Sequence, residues 1–239
     1  MPTQIHIAET AEQVAEDFAH FFADWVKDKP MVTVALSGGS TPKVLFRLWA
    51  NQYQDNIDWE KAHFFWGDER CVPPGDEESN FKMAHDLFLS KIGLPQENIH
   101  RIRGEANPEE EARRYAEDIL RNVASRNGSP SFDMILLGMG DDGHTASIFP
   151  HQMELLSAEA LCGVATHPVS GQQRITLTGK VLNNAREVAF LVTGQGKAQK
   201  VEEIIKGKEG SQRYPAAHIE PTHGALHWFT DQAAAAGLG

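Results

Sequence analysis

Cysteine is nearly absent: the 239-residue chain has two, Cys71 and Cys162. Two thiols cannot build a disulfide framework or a cysteine zinc site, so the chain reads as a protein of a reducing, cytoplasmic setting. Long apolar runs are missing too. No stretch approaches the roughly 20 residues that cross a bilayer. The N-terminus, MPTQIHIAET, lacks the basic start and apolar centre of a secretory signal. The histidines, His63, His218, His223 and His227 among them, show no metal-ligand spacing such as H-E-x-x-H, so no metal is expected. Positive charge is scarce: 22 Lys and Arg face 33 Asp and Glu, a formal net charge of −11. Such a surface disfavours nucleic acid and anionic membrane as partners. It does not exclude a small anionic substrate, because screening over about 8–10 Å lets a few local cations set the potential of a cleft. No internal repeat, low-complexity tract or long linker divides the sequence, which reads as one domain over residues 1–239, monomeric or homodimeric.

What the chain does have is alternation. Residues 9–28 place Val14, Phe18, Phe21, Phe22 and Trp25 on one helical face. A short apolar, β-branched run at 31–36 predicts a strand, and Pro42 suits the first turn of a helix running to about residue 51. Further strands are predicted at 63–66, 134–137, 161–166, 174–178, 188–193 and 226–229, and helices at 80–91, 108–125, 179–184, 197–206 and 231–236. Strands alternating with helices imply an α/β fold, a mostly parallel sheet with helices on both faces. Ligands of such sheets bind beyond the carboxyl ends of the strands. The glycine-rich turns at 37–42, 138–143 and 194–196 fall at such ends.

The most informative turn lies within residues 132–150, FDMILLGMGDDGHTASIFP. Its apolar run stops at Gly138, Gly140 and Gly143, and that glycine frame holds Asp142 and His144. His is the side chain best suited to moving protons near neutral pH, and an Asp two positions earlier is a natural group to orient it. A structural histidine capping the turn would read the same way. The glycines also match G-x-G-x-x-G, the dinucleotide fingerprint. Against that, Asp141 and Asp142 would face a pyrophosphate, and the motif falls past mid-chain rather than in the first βα turn. No cofactor is expected. Ser147 lacks the G-x-S-x-G elbow of a nucleophile and reads as a buried or helix-capping hydroxyl.

The turn SGGSTP at 37–42 joins Gly38 and Gly39 to a helix start, where free N–H groups attract an anion; Ser40 and Thr41 add hydroxyl donors. It is not a Walker loop, and a capped tight turn is the bland alternative. Asp68, Glu69 and Arg70 follow the 63–66 strand directly. Arg70 suits a phosphate, a carbonyl or a developing oxyanion, or else a surface salt bridge. Cys71 reads as a packing residue. Arg174 opens a strand and reads equally as an exposed side chain. Lys197 starts a helix after a Gly-rich turn, where a bound anion would offset its penalty against the helix dipole. Neither signal is specific by itself.

Taken together, LSGGSTPK (36–43), WGDERCVP (66–73), SNFKMA (79–84), LLGMGDDGHTASIFP (136–150), RITLT (174–178), GKA (196–198) and LHWFTDQAA (226–234) are similar to the motifs of the 6-phosphogluconolactonase family, in the family's order and over nearly the whole chain. The resemblance implies a Rossmann-like sheet shared with amino-sugar-phosphate deaminases and ribose-phosphate isomerases. It implies hydrolysis of a phosphorylated sugar lactone without metal or cofactor. His144 would be general base on a water, Asp142 would fix the imidazole, and Arg70 or nearby N–H groups would hold the oxyanion. Asp68 would hold a sugar hydroxyl or position Arg70. The phosphate would sit on Gly38, Gly39, Ser40 and Thr41, with Arg174 and Lys197 as counter-charges. Hexosamine-phosphate deaminases carry a similar turn with a Glu five positions beyond the His; that position here is Phe149, which cannot exchange protons. A catalytically silent sugar-phosphate sensor, the remaining alternative, would not require both Asp142 and His144.

Overall fold

A computed structural model describes residues 3–239. In chain order the elements are β1 (Gln4–Ala8), α1 (Ala11–Val26), β2 (Val32–Leu36), α2 (Ser40–Gln52), β3 (Ala62–Trp66), β4 (Asp68–Arg70), α3 (Asn80–Leu87) and α4 (Pro108–Asn122). The short hairpin β5 (Ser125–Arg126) and β6 (Ser129–Pro130) leads into β7 (Met134–Leu137). Then come α5 (Glu154–Ser157), β8 (Cys162–Thr166), β9 (Gln173–Leu177), α6 (Gly179–Leu182), β10 (Glu187–Val192), α7 (Ala198–Ile205) and β11 (Ala225–Asp231).

Six strands form a parallel sheet in the order β1-β11-β10-β7-β2-β3. Every residue of β2 and β7 is buried, which requires cover on both faces. Helix α1 starts where the Thr10 hydroxyl accepts the Gln13 N–H, and it buries Val14, Phe18 and Phe22. The Trp49 ring on α2 sits 4.8 Å from Phe22 and 5.2 Å from Phe88, so one aromatic cluster joins α1, α2 and the end of α3. Each fully buried side chain of this size stabilises the fold by about 1.5–3 kcal/mol.

The predicted α/β architecture holds, but not every element follows the expectation. Residues read as a loop after β3 form β4, which pairs antiparallel with β9, itself paired antiparallel with β8. The strands expected at 161–166 and 174–178 therefore belong to a separate small sheet. Gly67 welds the two sheets: its N–H donates to Leu36 O in β2 at 2.9 Å, and its carbonyl accepts the Leu177 N–H of β9 at 2.8 Å. A second difference is the helix expected at 231–236. Asp231 ends β11, and its buried carboxylate accepts the N–H groups of Ala234 (2.8 Å) and Gly194 (3.0 Å). Those bonds hold the segment in turns despite its alanine content. Strand β1, an edge strand, was not expected from the pattern at all.

Winding direction fixes where a ligand fits. From β2 the chain crosses to β3 on one side, whereas from β7 it proceeds to β10 on the other. The direction of travel reverses between β2 and β7, which opens a crevice beyond their carboxyl ends.

Candidate active site

A cavity of about 260 Å³ occupies this crevice. The end of β2 contributes Gly38, Gly39, Ser40 and Thr41, and the end of β7 contributes Gly140 and His144. Lys197 enters from beyond β10, while Asp68, Arg70 and Arg174 come from the small sheet. Asp142 is absent from the lining but lies directly behind His144. The ten residues singled out from the sequence thus converge on one place.

Asp142 Oδ1 lies 2.5 Å from His144 Nδ1 and accepts the His144 backbone N–H at 3.1 Å. Burial works to raise the Asp142 carboxyl, but the hydrogen bonds from the His144 ring and backbone outweigh it and hold it at about 2. An ionised Asp142 is an acceptor only, so Nδ1 is the donor in this bond and Nε2 faces away from the carboxylate. Gly140 is required here, since a Cβ on it would collide with the imidazole. The Phe149 ring, fully buried, supports the imidazole from 4.8 Å.

Helix α2 opens at Gly39, whose φ of 117° suits glycine, with no side-chain cap and no acidic residue in its first turn. Its leading N–H groups therefore remain available to an anion. The Thr41 hydroxyl is 3.0 Å from that of Thr193, which ties the β2 turn to the end of β10.

The two arginines form a unit that sequence reading did not reveal. Arg70 and Arg174 are cross-strand partners on β4 and β9. Among the described residues, the Nε atoms of both are buried without a hydrogen-bond partner. Arg70 Nη1 donates to Glu78 O at 2.6 Å, and the Arg174 guanidinium lies 5.6 Å from the Phe149 ring centre. Burial, followed by the neighbouring Arg70 charge, pulls the Arg174 pKa below its ordinary value. Arg174 is thus a half-buried member of the cavity rather than an exposed strand residue. Lys197 is already engaged: its Nζ donates to Asp141 Oδ1 at 2.5 Å, which lowers the Asp141 pKa. The Asp141 side chain is 90% exposed, so this pair is weakly held and open to exchange.

Several site residues had no readable signal. Ser147, buried as expected, donates from Oγ to Asp68 Oδ2 at 2.6 Å and so joins the His144 turn to β4. Between them Ala146 adopts φ 47°, an uncommon conformation for alanine, and faces the cavity. Glu69, to which the sequence assigned no role, is buried. Its carboxylate accepts the N–H groups of Arg70, Asn80 and Phe81 at 2.7–2.8 Å and the Ser79 hydroxyl at 3.0 Å. Burial raises the Glu69 pKa against those four bonds. This carboxylate fixes the start of α3, and with it Asn80, against the cavity.

A crevice at the winding reversal, with an Asp–His pair on one wall and cations on the other, is where α/β proteins of this kind bind their ligands. The family model described as glucosamine-6-phosphate isomerases/6-phosphogluconolactonase matches residues 6–228. A 6-phosphogluconolactonase of Haemophilus influenzae is 43% identical over 94% of this chain and 95% of its own length. One of Treponema pallidum is 43% identical over 86% of both chains. The crystal structure of devB protein superposes with a TM-score of 0.94 at 45% identity, covering all of both chains. The chain belongs to the glucosamine-6-phosphate isomerase/6-phosphogluconolactonase family, and within it to the lactonases, which are carboxylic ester hydrolases.

Proposed function

We propose that this chain hydrolyses 6-phospho-D-glucono-1,5-lactone to 6-phospho-D-gluconate, the lactonase step of the oxidative pentose phosphate pathway, in the cytoplasm. The observation that carries this reading is a single cavity holding both an oriented imidazole and an uncapped glycine turn at a helix start. Nε2 of His144 takes a proton from a water molecule as its oxygen attacks C1. Negative charge then develops on the carbonyl oxygen and is stabilised by Arg70 or nearby N–H groups; removing one such donor often raises the barrier by roughly 3–4 kcal/mol. As the bond from C1 to the ring oxygen breaks, the imidazolium returns its proton to that oxygen. Asp142 holds the productive tautomer and stabilises the transient imidazolium. The phosphate rests on Gly38, Gly39, Ser40 and Thr41, countered by Arg174 and by a Lys197 that leaves Asp141, and it positions the lactone for attack.

Phe149 argues against amino-sugar deamination, because the phenyl ring touching His144 offers no group for ring opening. Among the described residues no helix is long and apolar enough to cross a membrane, and no cluster of three or more metal-ligating side chains occurs. The test is His144→Ala, measured as lactone hydrolysis with the spontaneous rate subtracted. A folded variant should turn over roughly 10²-fold more slowly or worse. Near-normal turnover would remove His144 from the chemistry. A wild type that binds 6-phosphogluconate yet leaves the lactone opening at its spontaneous rate would be a sensor instead.

A further inference from the structure

The cavity is rich in donors: two arginines, a lysine, four hydroxyls and the N–H groups of the glycine turn. Those suit a phosphate and an oxyanion. A sugar lactone also carries hydroxyls, and these need acceptors. We propose that Asn80 is a substrate-contacting, specificity-determining residue, whose carboxamide oxygen accepts a hydrogen bond from a hydroxyl of the bound lactone. The proposal rests on the lactonase reading and deepens it.

The argument is geometric. Asn80 is 3% exposed, yet it lines the cavity. Its Nδ2 lies 3.0 Å from the Asp68 carbonyl and 3.4 Å from Asp68 Oδ1. Both neighbours are acceptors, so the nitrogen must face them and the amide has a single sensible orientation. Oδ1 is thereby turned to the other side, against Gly38, where any Cβ would collide with it. Gly38 belongs to the phosphate cradle, so this oxygen meets the cavity beside the anchored end of the substrate. Among the described residues nothing donates to it.

The placement is built rather than incidental. The Asn80 N–H donates to buried Glu69 at 2.8 Å, and Ser79 caps the helix by accepting the Lys82 N–H. Asp68 is in turn locked by Ser147 through its other oxygen. A buried carboxylate with four donors and a buried serine thus fix one carboxamide and the carboxylate next to it. Rigid support of this kind is what recognition of a neutral hydroxyl requires. A site built to pair with a hydroxyl then discriminates against an analogue that lacks it.

The experiment uses the intact protein with the lactone and a set of 6-phosphorylated lactones, each lacking one ring hydroxyl. Wild type should lose about tenfold or more in kcat/KM for one member of the set. Asn80→Ala should lose a similar factor on the complete lactone while no longer distinguishing it from that one deoxy analogue. Thermal melting of both proteins checks the fold, and Asn80→Ser replaces the alanine variant if that fails to fold. The inference is overturned if the variant loses the same factor on every lactone, since Asn80 would then merely support Asp68. It is equally overturned if wild type treats all deoxy analogues alike, a result that needs no variant. Failure of the lactonase reading is distinguishable, because wild type would then not accelerate the complete lactone at all.

Discussion

Arg174→Met should make the empty protein more stable and the anion-bound protein less so. Arg174 faces Arg70 directly across the β4–β9 pair, and among the described residues neither Nε has a partner. Like charges opposed on neighbouring strands cost about 0.2–1 kcal/mol. A buried donor without an acceptor costs about 1–3 kcal/mol. Methionine removes both penalties while keeping most of the stem. It forfeits the guanidinium over the Phe149 ring, worth about 0.5–1 kcal/mol. The balance favours the variant by on the order of 1 kcal/mol, or about 2–4 °C in Tm for a chain of this size. Phosphate reverses the order. At 100 times its Kd an anion should stabilise the wild type by about 2.7 kcal/mol through mass action. The variant, lacking one of the two proposed counter-charges of the phosphate, should gain little at that concentration. Thermal melts with and without inorganic phosphate test both halves. A variant that melts several degrees lower without phosphate, and still gains the full phosphate shift, would show that Arg174 is a structural residue and refute its role as a phosphate counter-charge.

Two further outcomes follow from the same geometry. Lys197→Ala should mainly raise KM for the phosphorylated lactone, because its Asp141 partner is exposed and readily exchanged; an unphosphorylated lactone should notice far less, and an equal loss on both would argue against a phosphate contact. Acid should weaken the sheet edges. Burial, then His227, lowers the His6 pKa against an opposing Asp17, and burial, then His100, lowers that of His63. Both rings are held neutral when folded, so the stability they add is complete above their ordinary 6.5 and lost as pH falls through the depressed values. Tm should drop between about pH 7 and 5, and less steeply in His63→Phe; identical slopes would show that His63 is not a source of the acid sensitivity.

Much of the fold was legible because parallel strands are buried on both faces and announce themselves as apolar runs. The runs at 31–36, 63–66, 134–137 and 188–193 became β2, β3, β7 and β10 almost to the residue. Their terminal glycines marked the sheet edge where the cavity lies. Strand β4 was not legible, because Asp-Glu-Arg has no strand signature; it is a strand only because β9 arrives to pair with it. The 231–236 helix failed for the opposite reason, when local alanine propensity lost to the long-range bond between Asp231 and Gly194. Within the site, His144 and Asp142 are neighbours in the chain and could be paired by inspection. Ser147 with Asp68, and Asn80 with Gly38, are brought together by folding alone. Their spacing carries no signal in one sequence.

The division of labour between the two sheets has a physical cause. At the carboxyl edge of a parallel sheet each strand ends in a turn, which supplies backbone N–H groups and a helix start but few rigid side chains. Two long cations held side by side need positions that face each other directly, and an antiparallel rung provides them. Gly67 allows this by leaving one sheet and entering the other within a single residue, bonded to β2 on its N–H and to β9 on its carbonyl. The turn donors and the arginine rung are thereby locked at a fixed corner. The repulsion and the orphaned Nε atoms accepted there are affordable only because the surrounding core is large. In the proposed reading an anion held between the two guanidinium groups offsets their mutual repulsion, and that offset adds to its affinity.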